Sequence, residues 1–322
     1  PDSPPIQCFG IADAENPAFV EAMQTITAED VRRKLSAPQR PCLLHVLPAE
    51  HFSARRIEGA ANACTYETAF VDHVRQLVPD PAAEIIVYGE GAPSLDSDDA
   101  AAKLLAAGYS KVWNFRGGLR EWMAAGLPVS GTAQLPAAPV LDGTFTIDTA
   151  GSVIRWTGRN LLNFHEGTLK LLGGSLAVRD GTLVSGSFTI DMNSIACADL
   201  GDATMNALLV RHLKHSDFFA VDRHPTAEFV VTAALPVADS SPGRPNYDVA
   251  GSLTLRGVTR ELRFPAVIAS GDPDHVTAQA VVDLDRTEFG SRYGSGKFFA
   301  FLGQHVVNDI VHLHLKISAI RS

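Results

Sequence analysis

The stretch Tyr247-Asp-Val-Ala-Gly-Ser-Leu-Thr-Leu255, followed by the turn Arg256-Gly257 and then Val258-Thr-Arg-Glu-Leu-Arg-Phe-Pro-Ala-Val-Ile268, sets an apolar side chain at nearly every second position. Successive side chains of a strand point to opposite faces, so this is the pattern of two antiparallel strands with one face inside and one face wet. The alternation recurs outward from this pair, at 145–156, 183–192 and 229–235 before it and at 276–284 and 311–317 after it. Turn residues such as Arg179-Asp-Gly181 and Ser241-Pro-Gly243 separate the runs. Residues 144–322 therefore read as all β and antiparallel. One helical island interrupts them at 203–214, where Met205, Leu208, Leu209 and Leu213 recur at helical spacing. It is expected to lie across an opening of the sheet.

Upstream the periodicity changes. From about residue 26 to 130, short apolar runs (Cys42-Leu-Leu-His-Val46, Glu84-Ile-Ile-Val-Tyr88, Lys111-Val-Trp-Asn-Phe115) alternate with helix-like stretches at 28–35 and 98–107. That is an α/β unit with a largely parallel sheet flanked by helices. Residues 131–143 are rich in Pro, Ala and Gly without periodicity, which is linker composition. Residues 1–25 form an N-terminal extension.

Two domains also suit a length of 322 residues, since either part is long enough to bury a core. At 46% hydrophobic and 20% charged residues the composition is that of folded globular protein, not of a disordered chain. There is no run of about 18 apolar residues, so no helical transmembrane segment is expected. The net charge of −9, with no Lys/Arg stripe, argues against nucleic acid as a partner. Cys8, Cys42, Cys64 and Cys197 have no C-x-x-C spacing and read as unpaired, structural thiols. The first ten residues lack the basic and apolar regions of a secretory signal, so a cytoplasmic location is expected. A periplasmic one would follow if the start at Pro1 is a processed one.

Residues 26–130 resemble the rhodanese-like family. The segments carrying the resemblance are Ile26-Thr-Ala-Glu-Asp-Val31, Leu43-Leu-His-Val46, Ile57-Glu-Gly-Ala-Ala-Asn62, Ile86-Val-Tyr-Gly89, Gly108-Tyr109 and Phe115-Arg-Gly-Gly-Leu-Arg-Glu-Trp122. Active members of that family place a cysteine straight after the Val-Tyr strand, and here that position matches Gly89. Sulfur transfer needs a thiolate that attacks and holds the persulfide, which glycine cannot supply. The loop Gly89-Glu90-Gly91-Ala92-Pro93-Ser94 carries a carboxylate and no arginine, and Asp96, Asp98 and Asp99 follow it. His45, Leu47 and Arg55-Arg56 stand where the family's usual acidic residue, arginine and Gly-His would be. The resemblance thus implies a catalytically degenerate module, without catalytic residues, that could dock a protein partner.

Residues 144–322 resemble the YceI-like family along their whole length. The carrying segments are Phe145-Thr-Ile-Asp148, Val153-Ile-Arg-Trp-Thr-Gly158, Gly186-Ser-Phe-Thr-Ile-Asp-Met-Asn-Ser-Ile195, His212-Leu-Lys-His-Ser-Asp-Phe-Phe219, His224-Pro-Thr-Ala-Glu-Phe229 and Asp285-Arg-Thr-Glu-Phe-Gly290. The resemblance implies a lipocalin-like barrel of about eight antiparallel strands that binds a long isoprenoid or other amphiphilic lipid, without enzymatic activity. No cofactor and no metal are implied.

From the residues alone, an apolar inner face is either a packed core or a pocket, because an eight-stranded barrel is just wide enough for either. Small inward residues (Gly186, Ala233, Gly251, Ala266, Ala278, Ala280) among large ones favour a pocket. Trp156, Phe188, Phe218, Phe219, Phe229 and Phe264 are candidates for its wall. His165 is either a head-group contact or a turn residue. His212 and His215 read as caps of the helical island. His312 and His314 share a strand face with the spacing of two metal ligands, but that face is polar and no third ligand is evident. The glycine- and aromatic-rich loop from Phe289 to Gly303 is either a gate, with Phe298 and Phe299 against the ligand, or a long hairpin packing them into the barrel end. The leading function is lipid binding or carriage. A sulfurtransferase-related enzyme and a protein-interaction scaffold are the alternatives.

Overall fold

A computed structural model of the protein describes residues 24–132, 134 and 141–322. Nearly all of the expected N-terminal extension, with Cys8, and most of the expected linker lie outside the described residues. The chain divides into two compact units, Pro1–Ala137 and Ala138–Ser322.

The strands of the first unit are β1 (Gln24–Thr25), β2 (Cys42–His45), β3 (Arg56–Ile57), β4 (Ala61–Asn62), β5 (Glu84–Tyr88), β6 (Lys111–Asn114) and β7 (Val129–Ser130). Its helices are α1 (Ala28–Leu35), α2 (Ala49–Ala54), α3 (Phe70–Leu77), α4 (Asp96–Ala106) and α5 (Gly118–Ala124). A five-stranded sheet runs β1-β6-β5-β2-β4 with every pair parallel, and β3 pairs antiparallel with β7. Helices cover both sheet faces, which is why Leu43-Leu44 of β2 and Ile85-Ile86-Val87 of β5 are apolar on successive positions. Leu44, Ile85 and Val87 pack with Phe70, Val74 and Leu104 on one face. Leu43, Ile86 and Tyr88 pack with Val31, Leu119 and Trp122 on the other.

The second unit is a closed barrel of eight antiparallel strands. They are β8 (Gly143–Arg159), β9 (Phe164–Arg179), β10 (Thr182–Cys197), β11 (Thr226–Pro236), β12 (Tyr247–Leu255), β13 (Val258–Asp272), β14 (His275–Asp285) and β15 (Ile310–Arg321). Helix α6 (Ala203–Lys214) follows β10, started by the Asp202 side chain, which accepts from the Thr204 and Met205 amides.

All seven alternating stretches lie in strands, while β9 shows no alternation in the sequence. Its Leu171-Leu-Gly-Gly174 run puts Leu171 inside and Leu172 outside, then bends through Gly173 and Gly174 at φ +156° and +150°. A Cβ on Gly174 would overlap the Ser187 carbonyl of β10, so only glycine fits there. A register shift between Leu183 and Ser185 likewise turns Val184 outward, against its place in the sequence alternation.

The barrel is solid at one end and hollow at the other. Phe145, Leu176, Val178, Leu183, Tyr247 and Val276, from the starts or ends of strands that meet at one end, are buried together there. The opposite halves of the strands surround a cavity. Core and pocket are thus both present, at different depths. The small residues mark the wrong end: none of Gly186, Ala233, Gly251, Ala266, Ala278 and Ala280 lines the cavity. Gly251 makes room for the Phe229 ring, and Gly186 for the Leu176 side chain.

Candidate ligand-binding site

The cavity has a volume of about 360 Å³, within the range of small-molecule sites. Its floor is a row of rings: Phe188 and Phe229 have centroids 5.4 Å apart, and Phe229 and Phe264 5.6 Å apart. Phe229 on β11 reaches Phe264 on β13 by lying over Gly251 of the intervening β12, where any Cβ would overlap the ring. Above the floor the walls are Trp156, Met192, Leu253, Leu284 and Leu313, and Leu209, Leu213, Phe218 and Phe219 close one side from α6 and the segment after it. The helical island therefore does lie at the opening.

Most polar lining residues stand toward the mouth, where Arg159, Asn160, His165, His212, Tyr293, Gln304, His305 and Asn308 line the cavity, with Arg286 buried below them and the Trp156 indole Nε1 buried without a partner among the described residues. Among the described residues, no Asp or Glu lines the cavity. His165, on β9, has Nδ1 2.8 Å from Asp199 Oδ2, which fixes its ring at the rim. Burial pushes the Asp199 carboxyl up, but hydrogen bonds from the Glu166 amide, His165 and Cys197 outweigh it and bring it down to about 2. His212 lies in the last turn of α6, as the sequence suggests. It also lines the cavity and meets Tyr293 edge-on at 4.4 Å and Phe218 at 5.6 Å. His215 stands at the helix end, as the C-cap residue, with Nδ1 3.1 Å from Asp217.

Seven of the nine sequence candidates, Trp156, His165, Phe188, Phe218, Phe219, Phe229 and Phe264, line this one cavity. Phe298 and Phe299 do not. The loop from 286 to 309 forms neither a hairpin nor a plug; it holds short 3-10 turns at Arg286–Phe289 and Gly303–His305, and leaves both rings about half exposed on its outer side. His312 and His314 lie outward of the lining residues Leu313 and Leu315, and His312 Nδ1 is 2.6 Å from Asp283.

Arg286 is the residue that sequence reading passed over. It is fully buried and lines the cavity. Its guanidinium donates to the carbonyls of Ser291 (2.8 Å), Val307 (3.0 Å) and Asn308 (3.0 Å), tying the mouth loop at both ends. Burial lowers its pKa, with Asp309 and Asp285 acting against that. The signal was present: Val282, Leu284 and Arg286 are in phase on the inward face, so a charge stood where the pattern demanded an apolar residue.

In the first unit, Gly89 follows directly on β5 and opens a loop that packs on α5. The Leu119 and Arg120 amides donate to the carbonyls of Gly89 (2.9 Å) and Glu90 (3.0 Å). Arg120 also reaches the Ala92 carbonyl at 3.0 Å, so the loop, which has no arginine of its own, receives one from the helix. The buried Asp96 carboxylate fills the bowl, accepting from the Glu90 amide (3.3 Å), Ser94 Oγ (3.0 Å) and the Ser97 amide (2.7 Å). It occupies the space a Cβ on Gly89 would need. Cys42 and Cys197 are partly buried, Cys64 is buried, and burial raises the pKa of the Cys42 and Cys197 thiols.

A family model described as a YceI-like domain matches residues 145–319, and one described as a rhodanese-like domain matches residues 27–125. A UPF0312 protein of Pseudomonas putida (strain W619) is 27% identical over 168 residues, covering 50% of this chain and 82% of that protein. A UPF0312 protein of Pectobacterium carotovorum (strain PC1) is 31% identical over 118 residues, covering 34% and 58%. Among solved structures, BcnA of Burkholderia cenocepacia is similar at 24% identity with a TM-score of 0.43, over 54% of this chain and 99% of that one. A polyisoprenoid binding domain from Saccharophagus degradans is similar at 13% identity and a TM-score of 0.40, over 55% and 98%.

Proposed function

Since the chain belongs to the YceI-like family through residues 145–319, we propose that its barrel binds or carries one long apolar lipid of isoprenoid type, tail inward and head at the mouth. The observation that supports this is the division of the cavity into an apolar floor of Phe188, Phe229 and Phe264 and a polar rim of Arg159, Asn160 and His165. An amphiphile has the same division. Burying a tail contributes about 0.8 kcal/mol per CH₂-sized group, so a chain of modest length is held without polar contacts. The aromatic floor limits how far it enters.

The rhodanese-like module is, in this proposal, catalytically degenerate and available for a protein partner. Gly89 offers no nucleophile, and the Asp96 carboxylate takes up the bowl and repels an anionic sulfur donor.

The test is native mass spectrometry of the gently purified full chain, with organic extraction of what leaves it. A co-purified isoprenoid or fatty chain, or a mass gain on incubation with an isoprenoid quinone, is expected. A mass that stays that of the bare chain in both cases would overturn the binding function.

A further inference from the structure

Phe298 and Phe299 turn away from the cavity, and they are not alone. Leu162, at the tip between β8 and β9, is 80% exposed, Phe301 is fully exposed, and Leu161 and Phe164 are more than half exposed. Single exposed apolar residues need no explanation, but a concentration at one end marks an interaction surface. These residues belong to two segments that close around one opening. Asn160 bridges to Val307, the Asn308 amide donates to the Arg159 carbonyl at 2.8 Å, and Asn160, His305 and Val307 all line the mouth. On α6, Met205 and Leu208 extend the exposed apolar rim beside the lining residues Leu209 and His212.

The charge of these segments differs from that of the chain. Residues 159–164 and 290–307 contain Arg159, Arg292 and Lys297 and no Asp or Glu, in a protein of net charge −9. Lys297 is paired with Asp285 at 2.5 Å. Among the described residues Arg159 and Arg292 form no ion pair, and the Arg292 guanidinium lies 4.8 Å from the Phe298 ring centroid. Protruding Leu and Phe side chains set among unpaired arginines match a lipid interface, where aromatic and aliphatic tips enter the headgroup boundary and cations meet anionic headgroups.

We propose that the rim formed by the β8–β9 tip and the loop 290–307 docks on an anionic lipid bilayer, with the cavity mouth facing the membrane. This rests on the lipid-binding reading and adds the surface from which the ligand comes: a tail would pass from bilayer to cavity without crossing water.

The test is flotation of the full chain with vesicles of phosphatidylcholine alone and with about one-third phosphatidylglycerol added. Retention on the anionic vesicles is expected to exceed that on the neutral ones by about fivefold or more and to fall as salt is raised. Leu162→Glu with Phe301→Glu is expected to lower retention about tenfold or more, since both side chains are solvent-exposed and their replacement leaves packing intact. Arg159→Ser with Arg292→Ser is expected to bring anionic retention down to the neutral level. Binding of cis-parinaric acid, read by its fluorescence, reports on the cavity and on folding in the Leu162/Phe301 variant, whereas thermal melting reports on folding in the Arg159/Arg292 variant, since Arg159 lines the cavity. Docking is overturned if the wild type floats with neither vesicle, or if the Leu162/Phe301 variant floats as the wild type does. It is also overturned if the rim instead joins two copies, seen as a dimer by light scattering that this variant dissociates without vesicle binding. Probe uptake without flotation removes docking alone; flotation without probe uptake removes the cavity function and leaves docking standing.

Discussion

The ring of Phe229 lies over the backbone of Gly251 on the neighbouring strand, in the place a Cβ would occupy. This lets the Phe229 ring reach across β12 to Phe264, so that the rings on β10, β11 and β13 form one continuous floor, and it divides the solid end of the barrel from the hollow one.

Gly251→Ala is therefore expected to push the Phe229 ring toward the cavity. Overpacking of this kind costs about 1–3 kcal/mol, and the floor rises at the same time. Thermal melting should report the first effect. A shift in preference toward shorter chains, measured by competition among fatty acids of graded length, should report the second; unchanged length selectivity would contradict the floor assignment.

Arg286→Lys keeps the charge but loses the planar fork that reaches three carbonyls at once. With at least one buried acceptor left unpaired, a loss of about 1–3 kcal/mol is expected. For a unit of this size that corresponds to a drop of about 2–12 °C in Tm. The loop 286–309 should also exchange its amides faster than the strands do, which peptide-resolved hydrogen exchange would reveal.

Gly89→Cys is expected not to yield sulfur transfer from thiosulfate to cyanide above background. The new Cβ meets the Asp96 carboxylate, and that negative charge disfavours a thiolate. The variant should also be less stable than the parent by about 1–3 kcal/mol, a loss that adding Asp96→Ala should relieve. Activity in the single variant would show that the bowl still accepts an anion.

His45 sets a pH dependence in the first unit. Burial, and then the nearby His51 and Arg56 charges, depress its pKa from 6.5 to about 4. The unfolded chain takes up this proton as pH falls through 6.5, whereas the folded chain does so only near 4. The first unit should lose up to about 3 kcal/mol over that window and regain it as pH rises. Hydrogen exchange of β2 and β5 peptides across the window checks this, and His45→Leu should flatten the dependence.

Which segments form strands was legible because alternation is a property of neighbouring residues and needs no knowledge of the partner strand. β9 escaped because Leu171-Leu-Gly-Gly174 breaks the alternation where the chain bends, and the reason for that bend is the approach of β10. Aromatic positions pointed to the cavity wall where they lay on strands or beside α6. They failed at Phe298 and Phe299, because a loop has no period from which to read a direction.

Taken alone, the amino-acid sequence determined two units of different class, an inward apolar face along the second, and an excess of acid with no Lys/Arg stripe. Only the tertiary structure decided where along the barrel that face is filled and where it is hollow. It also decided that Arg286 holds the mouth and that Asp96 fills the bowl at Gly89. The reason is that inward or outward is set by each residue's own backbone, whereas empty space is set by side chains meeting from strands distant in sequence.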